Sequence, residues 1–399
     1  MLGRTWPQIP IPPPAPVRMT QPVNKPQYSE HPTQSYGFLT PRFWHGMCLG
    51  TWLSLLATRQ CRLTPRSMFT AATITPVSAF NSLCAAWQNA WCGRQIRRQV
   101  LADPPLFVLG HWRSGTTLLH ELLIRDPEHT YPTTYECFVP HHFLVTQKWF
   151  APLTAWLLPK TRPMDNVALG WERPQEDEFA LCNLGIPTPY LCWAFPHNGP
   201  VHSEYLTLRD LPKRARRRWQ ATLKLFVKSV AVSRNRRLVL KSPPHTARVR
   251  WLLEVFPDAK FVHISRHPFT LFPSTIRLWK ALCDVQGLQP DLPEYPWLEE
   301  EVYSNLEKMY DAYDEDRHLV PPGNLCELKY EDLIADPKGE LQRVYSELGL
   351  GDFKRMEPGL DRYLQDTSDY KTNRYALPPD VEARVRQRWA KYFEVCGYE

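Results

Sequence analysis

The run Leu106-Phe-Val-Leu109 is wholly apolar, stops at a glycine, and gives way within one short loop to residues at helical spacing, Leu118, Leu119, Leu122 and Leu123. Four apolar residues between Pro105 and Gly110 suit a strand buried on both faces. The loop, Gly110-His-Trp-Arg-Ser-Gly-Thr-Thr117, therefore lies between a strand and a helix. It matches the phosphate-loop pattern G-x-x-x-x-G-K-[ST], except that Thr116 stands where the lysine belongs. Gly110 and Gly115 permit a tight turn, and the free N–H groups that open the next helix point at an anion. In a nucleotide triphosphatase the lysine reaches the β and γ phosphates, and the last hydroxyl holds magnesium. Here the lysine is absent and Arg113 brings a cation into the loop. Such a loop is expected to grip one phosphate and to steady a group bonded to it.

A loop of this kind needs a parallel sheet behind it, and three more apolar runs supply strands. Leu238-Val-Leu240 precedes a helix through Val249, Leu252, Leu253 and Phe256. Phe261-Val-His-Ile264 precedes a helix that starts at Pro268 or Pro273, and a fourth strand covers Leu325 to Tyr330. Strands alternating with helices predict an α/β fold, a phosphate-loop-like parallel sheet flanked by helices. Residues 1–41 are dense in proline, so an extended or disordered arm is expected there. Residues 42–100 read as a helical preface with breaks at Thr64-Pro65 and Thr75-Pro76, and 101–399 as the α/β domain. Within that domain, about 138–211 is irregular and rich in Pro, Trp and Tyr. Insertions of this kind carry acceptor recognition, because strand-to-helix loops meet at one edge of the sheet.

Hydrophobic residues make up 43% of the chain and charged residues 22%, which excludes a disordered chain. The net charge of +7 suits an anionic ligand or a membrane surface, but no Lys/Arg run is long enough for nucleic acid. The basic run Lys213 to Arg218 reads as a solvated helix face. Ten cysteines stand singly with no CxxC pair, which fits reduced thiols and not a zinc site or disulfide framework. No signal-peptide pattern is visible, so a cytoplasmic protein is expected. The longest apolar run, Phe43 to Ala57, is too short to span a bilayer. It has two readings: a helix packed on the main domain, or an interfacial helix making peripheral membrane contact through residues 43–57.

The loop resembles that of the sulfotransferases that use 3′-phosphoadenosine 5′-phosphosulfate (PAPS), whose donor loop has the form [KR]-[ST]-G-T-[ST]; Arg113-Ser-Gly-Thr-Thr117 has that form. The resemblance implies that Ser114, Gly115, Thr116 and Thr117 cradle the 5′-phosphate, with Arg113 beside the bridging oxygen and the sulfonate. The family's second donor motif, an Arg at a strand end with a Ser eight residues on, is matched by Arg266 and Ser274, which would bind the 3′-phosphate. Pro273 in the first position of a helix would set Ser274 near the positive end of the helix dipole. Lys329-Tyr330-Glu-Asp-Leu333 is similar to a Tyr-Glu-Asp segment whose tyrosine lies near the adenine. Leu240-Lys241-Ser-Pro243 resembles the Lys-x-Pro segment of the tyrosylprotein branch, whose lysine helps hold the sulfonate. The four segments occur in the family's order and span about residues 105 to 350.

Sulfonate transfer resembles phosphoryl transfer, so positioning and cations should do most of the work, with Arg113 and Lys241 meeting the developing charge and no metal required. An acceptor hydroxyl also needs a general base. The tyrosylprotein branch carries a glutamate shortly after the loop helix, and Glu136 is the nearest match, displaced by a few residues. The rival is Glu176-Asp-Glu178, whose bland reading is acidic residues in the first turn of a helix. His111 and His245 are lesser candidates. The acceptor class stays open: lipid, sterol, phenol, carbohydrate and peptide all fit, as hydroxyl or amine. Two other functions compete. A phosphate-loop kinase would need a lysine at Thr116 and magnesium, and a nucleotide-binding scaffold at a membrane would bind without turnover.

Overall fold

The computed structural model describes residues 40–57, 65–159, 169–289, 292–367 and 376–399; the proline-dense arm, apart from Thr40 and Pro41, lies outside the described residues. Strand β1 (Leu106–Leu109) is flanked on one side by β3 (Arg237–Lys241) and β2 (His129–Thr130), and on the other by β4 (Lys260–Ser265) and β5 (Leu325–Lys329). Every pairing is parallel, and the order is β2-β3-β1-β4-β5. Side chains alternate between two apolar clusters. Phe107, Leu109, Leu240 and Phe261 enter one, while Leu106, Val108, Val239 and Val262 enter the other. That alternation explains why the central strands are continuous apolar runs: both faces are covered. The chain order reverses at β1, so the crevice beyond the carboxyl ends of β3, β1 and β4 is where this architecture binds ligands.

The expected strands are present, and β2, only two residues long, is additional. Of the two helix starts left open after β4, the structure gives the earlier one. The helix Pro268–Gln286 opens with Pro268 in its first turn, and Pro273 lies inside it. At the N-terminus, α1 (Leu49–Ala57) follows a 3₁₀ turn over Phe43–Gly46, and α2 (Pro65–Arg98) is one continuous helix. Pro65 opens α2, whereas Thr75-Pro76 breaks nothing. Tertiary contacts hold α2 through Pro76: Asn81 Nδ2 donates to the carbonyls of His45 (2.8 Å) and Met47 (3.1 Å), and Gln88 Oε1 accepts from the Leu144 N–H at 2.8 Å.

The segment 43–57 is packed on the main domain. Trp44, Met47, Trp52 and Leu55 are buried, Trp44 Nε1 donates to the Gln286 carbonyl at 2.7 Å, and the Phe43 ring stacks on Phe179 at 3.8 Å. The preface thereby shares one core with the sheet. No helix among the described residues is long and apolar enough to cross a membrane. Because Trp44 is fully enclosed and bonded, Trp44→Ala should cost about 3–5 kcal/mol in urea unfolding. A loss under about 1 kcal/mol would show that the preface is not part of the cooperative core.

Candidate active site

The loop after β1 is shaped by residues that only a strained turn requires. Gly110 has φ 144° and Gly115 has φ 106°. A Cβ on Gly115 would lie 2.5 Å from the Tyr330 ring, and one on Gly110 would lie 2.5 Å from the Ile264 carbonyl oxygen. Arg113 also adopts a positive φ, 70°, which costs free energy in a residue with a side chain. Its carbonyl accepts from Arg266 Nη1 at 3.1 Å, and its Nε donates to Ser274 Oγ at 2.9 Å. Helix α3 (Thr116–Leu123) then begins, and its first N–H groups have no intrahelical acceptor. Open amides, a glycine that brings the backbone to Tyr330, and the cations Arg113 and Arg266 together fit a phosphate-bearing nucleotide.

Arg113, Gly115, Thr116 and Thr117 line a cavity of about 650 Å³, together with Arg266 and Tyr330. The Arg266 guanidinium lies 4.1 Å from the Tyr330 ring centroid. Ser274 is placed differently from the expectation. It is seven residues into its helix, so its own N–H is not among the open ones, and its hydroxyl serves Arg113. Ser114 also differs from its expected place. Its N–H bonds the His111 carbonyl at 3.1 Å and its hydroxyl turns inward toward Gly110, so it shapes the loop and does not line the cavity.

Asp177 and Glu178 do stand in the first turn of a helix, with Glu176 at its N-cap, but the first two are buried and Glu176 is half-buried. Residues 132–135 run alongside 171–175, with Thr134 N–H on the Arg173 carbonyl (2.8 Å) and Gln175 N–H on the Pro132 carbonyl (3.0 Å). That pairing delivers Glu176 to the cavity wall at the N-cap of a short helix, Asp177–Asn183. Each acid then meets its own base from the end of β3 or the turn that follows it. Lys241 Nζ donates to Glu176 Oε1 at 2.7 Å, His245 Nε2 is bonded to Asp177 Oδ2 at 2.6 Å, and Arg248 Nη1 donates to Glu178 Oε2 at 2.6 Å. Ser242 ties the two segments further, donating to Asp177 Oδ1 at 3.0 Å and accepting from the Glu178 N–H at 2.9 Å. Burial pushes the Asp177 carboxyl up, but His245 and the Ser242 hydrogen bond outweigh it and hold the group below the usual carboxylate range.

Lys241 is 3% exposed and lies behind Thr117, with Nζ 3.5 Å from Thr117 Oγ1. The other Glu176 oxygen accepts from the Tyr190 hydroxyl at 2.6 Å, and that hydroxyl accepts from Trp112 Nε1 at 3.1 Å. Burial, then the nearby Glu176 charge, raises the Tyr190 phenol far above its ordinary value, so it stays protonated and donates. Tyr190 carries no motif, and only the aromatic density of its segment hinted at it. Glu136 is elsewhere. It is the N3 residue of a capping box in α4 (Thr134–Phe138), accepts from the Thr133 N–H at 2.8 Å, and is gripped by Arg234 Nη2 at 2.7 Å. Glu136 is fully buried and does not line the cavity, so the structure does not bring this expected base to the site. His111 is also buried, bonded to the Trp112 carbonyl, with its pKa pushed down to about 4.

The cavity has two kinds of wall on either side of the loop. Tyr330, Leu333 and Tyr363 flank the Arg266 side, whereas Phe43, Phe138, Phe179, Leu278 and Leu282 make an apolar wall near Glu176. Among the described residues no group of three or more His, Cys, Asp or Glu is arranged to hold a metal ion. A lysine-free phosphate loop at the switch point of a parallel sheet, with a buried Lys-Glu pair beside it, fits a nucleotide-dependent group transferase. The chain belongs to the sulfotransferase family, whose model matches residues 104–354. It is 46% identical over 356 residues to the omega-hydroxy-beta-dihydromenaquinone-9 sulfotransferases Stf3 of Mycobacterium bovis and Mycobacterium tuberculosis, covering 89% of this chain and 91% of each relative. Two solved structures share the fold. Sulfotransferase STF9 from Mycobacterium avium has TM-score 0.64 at 19% identity, over 86% of this chain and 89% of that one. STF1 from Mycobacterium tuberculosis has TM-score 0.57 at 17% identity, over 86% and 91%. The reaction is transfer of a sulfonate group from PAPS to an acceptor hydroxyl.

The Asp177 carboxyl yields a pH test. A carboxyl held low in the folded state contributes stability that is present above its unfolded pKa of about 3.9 and is lost as pH falls through the folded value. Asp177→Asn should therefore be clearly less stable than the parent at pH 7, with the gap closing as pH falls below about 4 in chemical denaturation. A gap that does not change with pH would contradict an ionised Asp177.

Proposed function

We propose that Glu176 is the general base, that Arg113 and Lys241 meet the charge of transfer, and that the acceptor is a lipid alcohol. The observation that carries this is the Lys241–Glu176 pair beside Thr117, which sets a carboxylate and a cation at the junction of the phosphate loop and the apolar wall. In this reading the α3 amides of Gly115, Thr116 and Thr117 hold the donor's 5′-phosphate. Arg266 addresses the 3′-phosphate, Ser274 steadies the Arg113 side chain, and Tyr330 flanks the adenine. The acceptor oxygen attacks sulfur in line, the bond from sulfur to the phosphate oxygen breaks, and the bisphosphate leaves with the electron pair. Glu176 takes the hydroxyl proton, and Tyr190 keeps its carboxylate aimed. The preface (42–100) and the insertion (138–211) build the acceptor wall, contributing Phe43, Phe138 and Phe179. An apolar wall of this size suits an isoprenoid-like chain bearing a hydroxyl. The acceptor named for the 46%-identical relatives, a hydroxylated menaquinone, supports that class.

Removing a general base typically costs about 10²–10⁴-fold in rate. Glu176→Gln should therefore lower kcat by about that factor while leaving calorimetric affinity for 3′-phosphoadenosine 5′-phosphate nearly unchanged; near-normal turnover would move the base elsewhere. Arg266→Ala should weaken that bisphosphate about ten- to a hundredfold, the equivalent of one charge-assisted contact, with adenosine 5′-phosphate much less affected. Equal losses for both nucleotides would remove Arg266 from the 3′-phosphate. With labelled donor and a lipid extract, the label should move into a solvent-extractable lipid; label confined to water-soluble products would contradict the lipid-alcohol assignment.

A further inference from the structure

On α2, Phe80, Leu83, Trp87 and Trp91 fall at spacings that place them on one helix face, yet that face is exposed to solvent, with Trp91 80% exposed. On α5 (Phe143–Thr154) and the 3₁₀ turn that follows it, Trp149, Leu153 and Trp156 repeat the pattern, with Trp149 76% and Trp156 74% exposed. The two helices pack side by side, with the Phe80 and Phe150 rings 5.2 Å apart. Their outer faces form one surface carrying four tryptophans. A patch this aromatic on a soluble face marks an interaction site, and indole rings favour the boundary between water and lipid.

The charge of the same elements selects the partner. Helices α1, α2 and α5 and the turn Ala155–Leu157 contain no Asp or Glu, and Arg94, Arg97, Arg98 and Lys148 are exposed on them. A second copy of the chain would set like charges against one another; an anionic bilayer would not. The surface also continues into the cavity. The turn Ala155–Leu157 runs directly into Leu158 and Pro159, which line it. We propose that the outer face of α2 and α5 is a peripheral membrane-docking surface for anionic lipid, with the tryptophans at headgroup depth and the cavity opening toward the bilayer. The link to catalysis rests on the lipid-alcohol reading, whereas the binding itself does not, and it is measured with no acceptor present.

Co-sedimentation of the full chain with phosphatidylglycerol/phosphatidylcholine vesicles tests it. The protein should bind these vesicles, and binding should fall with added salt or with phosphatidylcholine alone, each basic residue contributing about fivefold. The triple variant W91E/W149E/W156E should partition at least about tenfold more weakly. Turnover of a short water-soluble alcohol and affinity for the bisphosphate nucleotide should stay unchanged. If that variant fails to fold, R94E/R97E/K148E decides: it should lose the preference for anionic vesicles. No vesicle binding at low salt, or binding equal to the parent in both variants, overturns the proposal. So does a concentration-dependent dimer that the variants dissolve, since a second copy would then cover the face.

Discussion

Three consecutive acids, Glu176, Asp177 and Glu178, meeting three bases spaced along one segment, Lys241, His245 and Arg248, are the contact on which the site depends. Burying isolated charges is prohibitive, and burying them in bonded pairs is tolerable only when each remaining lone pair finds a donor. Here the donors are supplied: Thr188 Oγ1 and Arg248 Nη2 complete Glu178, Ser242 completes Asp177, and Tyr190 completes Glu176. Breaking one such buried pair typically costs about 3–5 kcal/mol, so the arrangement admits little variation in register. Its consequence is positional. The residue after Lys241 begins a tight turn, the residue after Glu176 begins a helix, and of the six side chains only Glu176 reaches the cavity wall, with Lys241 buried behind it.

The phosphate loop is held from the opposite side. Arg266, from the end of β4, bonds the carbonyl of the strained Arg113, and Ser274 anchors the Arg113 side chain. Strain at Arg113 is therefore fixed by groups from two other elements, which is how a backbone outlier persists. Arg113, in the loop after β1, lines the cavity, and Lys241, at the end of β3, stands behind Thr117. The open amides of α3 lie between them. A charge-building transfer gains most from such fixed groups, because they need not reorganise as the bond breaks.

Much of this was legible in the sequence. Four strands were visible as apolar runs because a sheet covered on both faces has no polar alternate positions. The loop was visible because glycine is needed where φ is positive and the backbone must approach Tyr330. What spacing did not show was how the chain returns. Glu136 follows the loop helix at nearly the expected distance, but Arg234 and the Thr133 capping box claim it. Glu176 lies forty residues further on and arrives only because 171–175 pairs with 132–135. Pro76 and Pro273 both suggested helix boundaries, and both lie inside helices held by packing. The exposure of the tryptophans on α2 and α5 was not legible, since a stripe at helical spacing reads as core.

In the proposed mechanism the Lys241–Glu176 pair serves the transfer step and is not merely a buried ion pair. Replacing Lys241 with methionine keeps the volume and removes the charge, and the loop amides still hold the nucleotide. The decisive measurement is single-turnover transfer by Lys241→Met beside its calorimetric affinity for 3′-phosphoadenosine 5′-phosphate. The account predicts a rate lowered about a hundred- to a thousandfold with affinity changed only modestly. A near-normal rate, or a loss confined to nucleotide affinity, would contradict it.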